Sequence, residues 1–164
     1  MNEKARAAVI FGGSAVATAA LGTLFTPARQ SIREWYDGLR KSKLNPPNAV
    51  FGPVWTGLYT LIAISGAKTF RKRKSQERTD ALRLWAAQMV LNAAWSPLFF
   101  GAKKPVWSLV DMSILLPTIV AYARKAKAPW LMAPYIAWVS FAMYLNIEIV
   151  RLNRANAAEQ RQPA

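Results

Sequence analysis

Gln88, Asn92 and Trp95 recur at i, i+4 and i+7 in the stretch "AAQMVLNAAWSPLFFG", so two amides and an indole share one helix face. Such groups orient and stack against a partner; none is a nucleophile. An amide in hydrocarbon needs a partner, so this face points toward protein or a ligand rather than lipid, and gluing helices together and touching a ligand are not exclusive uses. Trp138, Ala142 and Leu145 repeat the spacing later in the chain and set a large ring beside the gap that alanine leaves, which serves either close helix packing or a ligand. The chain has no cysteine and no histidine. That removes disulfides, thiol nucleophiles, histidine bases, Cys/His zinc sites and histidine-ligated haem. No phosphate-binding glycine fingerprint is present either, since "FGGSA" lies in an apolar run without a lysine. No metal site is expected.

Two acids stand out. Asp111 lies six residues after Pro105, about 9 Å along a helix, which is deeper than the headgroups. A carboxylate inside a membrane is a candidate functional group. The expectation here is the structural alternative, in which Asp111 accepts bonds from Trp or Asn donors and organises packing. Glu148 is expected to pair with Arg151 one turn on.

The elements that must hold these residues follow from where the charges are. The chain has 164 residues, 53% of them hydrophobic, and a formal charge of +14. Its Lys and Arg residues sit between uncharged runs at Ala7 to Ala28, Leu44 to Ala67, Leu84 to Ala102 and Ala128 to Ile147; a fifth run, Pro105 to Ala123, is broken only by Asp111. A nucleic-acid-binding domain would stripe its charge along a face, so no nucleic acid is expected. Each run is about as long as the roughly 20 residues a helix needs to cross the hydrocarbon core. A soluble bundle would carry polar residues every third or fourth position, and the runs do not. The reading is an all-α membrane protein, a single domain over residues 1–164. Its five transmembrane helices lie at approximately 7–26, 46–67, 80–100, 105–123 and 129–150, with a polar tail at 154–164. The first run is too long for a signal h-region and lacks a clear cleavage site, so it is expected to be retained. Loop Lys and Arg counts, 12 on the N-terminal side against 10 on the other, do not orient the chain.

Loops and helix mouths complete the map. The first connection contains "REWYDGLRK", which either caps the bundle as a lid or rests on the membrane interface; headgroup anchoring of Trp35 and Tyr36 is the favoured alternative. The third, "GAKKP", is a tight turn. In "NPPNAVFGPVWTGLY", Asn45 is expected to cap a helix that starts at Pro46 and Pro47, and Gly52 lets a backbone or flat ligand approach above Trp55. Ser14, Thr18 and Gly22 form a small-residue stripe suited to packing.

Three stretches, "WYDGLRKSKLNPPNAVFGPVWTGLY", "AAQMVLNAAWSPLFFG" and "APYIAWVSFAMYLN", resemble the translocator protein family, also called tryptophan-rich sensory proteins or peripheral-type benzodiazepine receptors. The likeness runs from about Gly12 to Asn153. It implies five transmembrane helices around a pocket beneath the first loop, with protoporphyrin IX or a haem-like tetrapyrrole, and other aromatic or lipidic molecules, as ligands and no required cofactor. Carried onto matching positions, it implies ligand binding by Tyr36 of the lid, Phe51, Gly52, Val54 and Trp55, Asn92 and Trp95, Trp107 and Asp111, and Trp138, Phe141, Ala142 and Leu145. The leading expectation is a membrane receptor or sensor for porphyrins, with Arg33 or Arg40 pairing with propionates. Alternatives are a light- or oxygen-dependent porphyrin-degrading enzyme using Trp55 and Trp138, and a porphyrin or sterol transporter. Membrane lipid and a homodimer are the other partners considered. The location expected is a bacterial cell-envelope membrane or an animal outer mitochondrial membrane. Two departures stand out: Leu44 replaces an aromatic before the double proline, and the sterol pattern over Val139, Tyr144 and Arg151 is one residue too long.

Overall fold

Asn2 and Ser75 begin two helices in the same way, by satisfying first-turn amides that have no partner in the helix itself. Asn2 Oδ1 accepts the Ala5 N–H at 2.8 Å and Ser75 Oγ accepts that of Arg78 at 3.1 Å. In a computed structural model, which describes residues 1–127 and 129–159, these caps open α1 (Glu3–Thr23) and α4 (Gln76–Ser96). α5 (Pro105–Ala126) and α6 (Pro129–Glu159) instead start on proline, whose missing N–H costs nothing in the first turn. α3 covers Asn48–Phe70, and a short α2, Gln30–Asp37, occupies the first connection. A π-helical turn, Pro97–Gly101, extends α4 and closes with the Ala102 N–H on the Pro97 carbonyl at 2.7 Å. Every element among the described residues is helical.

The expected boundaries need correction where caps, not hydropathy, set the ends. Helices begin at Glu3 and Gln76 rather than near 7 and 80, because the capping residues lie outside the apolar runs. Pro46 and Pro47 do not form the first turn of α3. Pro47 is the extended residue before it, with ψ 145°, and Pro46, which precedes a proline, is disfavoured from the helical region. Asn45 is therefore no cap: its Nδ2 donates to the Pro46 carbonyl and its Oδ1 accepts the Tyr36 hydroxyl. α6 runs on to Glu159, so the tail expected from 154 is helical as far as described, and residues 160–164 lie outside the described residues.

Packing arranges the long helices in a closed ring. α1 lies against α3, α3 against α6, α6 against α5, α5 against α4, and α4 against α1, with α3 and α4 also meeting across the ring. α1, α3, α5 and α6 are long and apolar enough to cross a membrane. α4 matches α1 in length at 21 residues, but its opening turns carry Glu77, Arg78, Asp80 and Arg83, and it falls short of the same measure.

One end of the ring is sealed. Trp85 of α4 donates its indole N–H to the Ile62 carbonyl of α3 at 3.1 Å, and the Phe11 ring of α1 meets the Trp85 ring edge-on at 4.6 Å. All three helices converge on Gly66, where a Cβ would lie 2.3 Å from Phe11 Cδ1 and 2.7 Å from Trp85 Nε1. Beside them Tyr122 of α5 is held by Ser65 at 2.8 Å and Thr69 at 3.3 Å. Lys125–Asp80 at 3.6 Å and Lys127–Glu77 at 3.3 Å join α5 and its C-cap to α4 at the surface. Gly66→Ala should lower stability by about 2 kcal/mol, the scale of an overpacked core, as read by thermal unfolding in detergent. An unchanged midpoint would show that the seam gives way easily.

Candidate functional site

From this seam toward the opposite end the ring opens. A cavity of about 1270 Å³ lies between α1, α3, α4, α5 and α6 with α2 across its mouth. That exceeds the roughly 300–1,000 Å³ typical of small-molecule sites. Its walls follow helical periodicity. On α3 they run from Asn48, Phe51, Gly52, Trp55, Thr56 and Tyr59 at the wide end down through Thr60, Ala63, Ile64 and Ala67; on α6 they are Trp138, Val139, Ala142, Leu145, Asn146 and Ile149. α4 contributes Asn92, Trp95 and Ser96, the π-helical turn Phe99 and Phe100, and α5 Met112 and Leu115. Small residues, among them Gly12, Ala15, Ala19 and Gly22, form the α1 side. A Cβ on Gly52 would meet nothing within 4 Å, so this residue opens onto space rather than allowing a tight helix contact.

The polar groups are divided between floor and mouth. On the floor Asn92 is the centre of a three-helix bridge: the Tyr59 hydroxyl of α3 donates to its Oδ1 at 2.7 Å, and its Nδ2 donates to the Tyr135 hydroxyl of α6 at 2.7 Å. Higher up, Trp95 stacks on Phe99 at 4.9 Å and 15°, and its buried indole N–H has no acceptor in the protein. Arg33, Asp37 and Asn45 stand at the mouth, with Arg33 Nε donating to the Pro27 carbonyl at 2.9 Å. The interior is thus aromatic and neutral, and the charge is confined to the lid.

α2 is fixed to this mouth through its aromatic side. Tyr36 is buried, with its ring 6.3 Å from Phe99 and 5.5 Å from Phe100, and Trp35 meets Phe99 edge-on at 5.6 Å. Headgroup anchoring of these two rings is therefore corrected to docking on the bundle. The partners are two neighbouring rings of the π-helical turn, Phe99 and Phe100, which extend α4 under α2. Burial pushes the Tyr36 hydroxyl above its ordinary pKa, opposed in part by its bond to Asn45, so it stays protonated at neutral pH and can donate.

Of the residues expected to bind ligand, Tyr36, Phe51, Gly52, Trp55, Asn92, Trp95, Trp138, Ala142 and Leu145 line the cavity. Four do not. Val54 is one step round α3 and packs into the core. Phe141 lies behind Trp138, ring to ring at 5.9 Å. Trp107 points outward from the first turn of α5 and is 60% exposed. Asp111 is only 7% exposed, yet it accepts none of the bonds expected from Trp or Asn neighbours, and its Oδ2 has no partner. The expected shared face of α4 divides as well: Gln88 is fully buried below the floor with both amide atoms unpartnered, because it sits about 10 Å down the helix from Trp95. Arg40 is not among the lining residues, whereas Arg33 is. Glu148 pairs with Arg151 as expected, at 2.8 and 2.9 Å.

Tyr59, Tyr135, Phe99 and Phe100 were not anticipated. Tyr59 at i+4 from Trp55 was available as a signal; the phenylalanines had none, since the turn that aims them is irregular. Asn92→Leu should strand both tyrosine hydroxyls and reduce stability by roughly 1 kcal/mol, at about 0.6 kcal/mol per intramembrane bond. Chemical unfolding in micelles checks this, and Tyr59→Phe should cost less because Tyr135 keeps its partner.

Residues 10–152 match the family model described as the TspO/MBR family. The chain is 38% identical over 159 residues to the tryptophan-rich protein TspO of Chlorobaculum tepidum, covering 93% of this chain and 99% of that one. It is 34% identical over 142 residues to the tryptophan-rich sensory protein of Cereibacter sphaeroides, covering 84% and 85%. With the translocator protein of Homo sapiens it shares 33% identity over 136 residues, covering 79% and 80%. A ring of long helices whose cavity wall carries Trp55, Trp95 and Trp138, together with a match over most of the chain, places this protein in the TspO/MBR family of membrane proteins.

Proposed function

We propose that the protein is a membrane receptor or sensor that holds a porphyrin-like molecule in the cavity beneath α2. The observation that carries this reading is the cavity wall itself, which sets the rings of Trp55, Trp95 and Trp138 around one space beneath α2. A flat macrocycle suits indole faces. Asn92 and Tyr59, already bonded to each other, add a polar floor without charge. The mouth supplies Arg33, a guanidinium able to meet a propionate bidentately, beside Asp37, which would repel one. A tetrapyrrole with acidic side chains therefore enters ring first, and its carboxylates stay at the lid. The similarity to a tryptophan-rich sensory protein, that of Cereibacter sphaeroides, supports a sensing role.

The proposal includes α4 as a fifth transmembrane helix. Its uncharged stretch from Leu84 continues through the π-helical turn, and it closes the ring between α1 and α5. The chain termini then lie on opposite faces of the membrane.

Titration of purified protein with protoporphyrin IX should quench tryptophan emission saturably. Gly52→Leu should weaken that binding by about tenfold or more while leaving the unfolding midpoint in place, since a side chain there meets only open space. Unsaturable quenching, or an unaffected Gly52→Leu, would remove the cavity from consideration. Arg33→Ala should weaken protoporphyrin IX by roughly tenfold yet leave its dimethyl ester unchanged, as loss of one charge-assisted contact requires. Equal effects on acid and ester would assign Arg33 to lid packing instead.

A further inference from the structure

α6 continues for two turns past its apolar stretch, and that extension has a use. Asn153, near its end, engages both amide N–H groups and its amide oxygen. Its Oδ1 accepts the Arg40 N–H at 3.1 Å, its Nδ2 donates to the Arg40 carbonyl at 3.0 Å, and the second Nδ2 hydrogen goes to the Ile149 carbonyl at 2.7 Å. Side chain thus pairs with backbone, donor and acceptor together, across 113 residues of sequence. One turn earlier on the same helix face, Ile149 is buried in a cluster with Tyr36 and Phe99. The segment after α2 is tied to α2 itself, because Lys41 Nζ bonds the Tyr36 carbonyl and lies 4.3 Å from the Tyr36 ring centre.

We propose that Asn153 is the latch of the lid: it clamps the Arg40 peptide to the end of α6, seats α2 over the cavity, and so sets how long a ligand stays bound. The ligand part of this statement rests on the function proposed above; the latch itself does not. α2 has eight residues, too few to be stable alone, so its position depends on its attachments. At its leading edge Arg33 reaches only the Pro27 carbonyl within the same loop. Among the described residues, the bonds at Arg40 are the ones that join the lid's backbone to a ring helix by side-chain contact. Asn153 touches neither the cavity nor a ligand; it is a positioning residue.

Amide hydrogen exchange on ligand-free protein in nanodiscs, compared between wild type, Asn153→Ala and Arg40→Ala, tests the latch. Asn153→Ala should raise exchange across Gln30–Asp37 and at Arg40 by about tenfold, the change expected from losing two ordinary hydrogen bonds, and leave α3 and α5 unchanged. Arg40→Ala should be silent in exchange, because the contacts are made by its backbone. An unaltered α2 in Asn153→Ala, an Arg40→Ala that reproduces its effect, or faster exchange spread equally through residues 143–152 of α6 would each overturn the latch. Dissociation of protoporphyrin IX, followed as recovery of tryptophan emission, should accelerate about tenfold in Asn153→Ala with little change in association. A wild-type protein that fails to bind protoporphyrin IX defeats the proposed function, and the exchange measurement still decides the latch.

Discussion

Close approach of three helices around Gly66 is the constraint on which the cavity depends. Because no side chain intervenes, Phe11 of α1 and Trp85 of α4 both reach α3, and the Trp85 indole binds the Ile62 carbonyl. In lipid there is no hydrophobic gain from pressing helices together, so such packing and the few bonds across it carry the association. With that end sealed by Tyr122, Ser65 and Thr69 as well, the ring can afford wall residues of small size at the other. The empty volume is thus widest beneath the lid and narrows along α1 and α3 toward Phe11 and Ala67, beside the Gly66 contact.

Asn92 stands at the boundary between these two regimes. An amide in hydrocarbon without partners is costly, and here it takes a hydroxyl from each of two other helices. It keeps α3, α4 and α6 at a fixed spacing just where the core ends. The same bridge leaves the floor of the cavity neutral and hydrogen-bonded. Gln88, one turn below on the sealed side, and Asp111 on α5 are buried without such partners. Those two groups are a local cost in stability that the packing around Gly66 must offset.

Charge segregation made the long helices readable, since a run of uncharged residues of bilayer length has few other uses. Helix ends were less readable because Asn2 and Ser75, polar and outside the runs, decide them. α4 shows the limit of hydropathy from the other side: its charged opening turns make salt bridges to α5, so a helix of the ring reads as half polar. Periodicity picked the α6 face, where Trp138, Ala142 and Leu145 all line the cavity. It misjudged depth on α4, where Gln88 and Trp95 share a face but not a level, and only the position of the neighbouring helices separates floor from core. The docking of α2 had no sequence signal beyond Pro97, because its partners Phe99 and Phe100 sit in an irregular turn that extends α4.

The lid and the ring differ in what holds them. α2 buries only Ile32 and Tyr36, and its remaining attachments are a few polar contacts and the edges of the phenylalanine rings. Elements with so little buried surface open at a fraction of the free energy that unfolds the whole molecule. The charges available to a ligand, Arg33 and Asp37, are carried by this same element and not by the ring. A ligand that meets Arg33 therefore binds the closed state better than the open one and stabilises it by that difference alone. Under the proposed function, occupancy would then be expressed as lid position, on the exposed surface of the molecule.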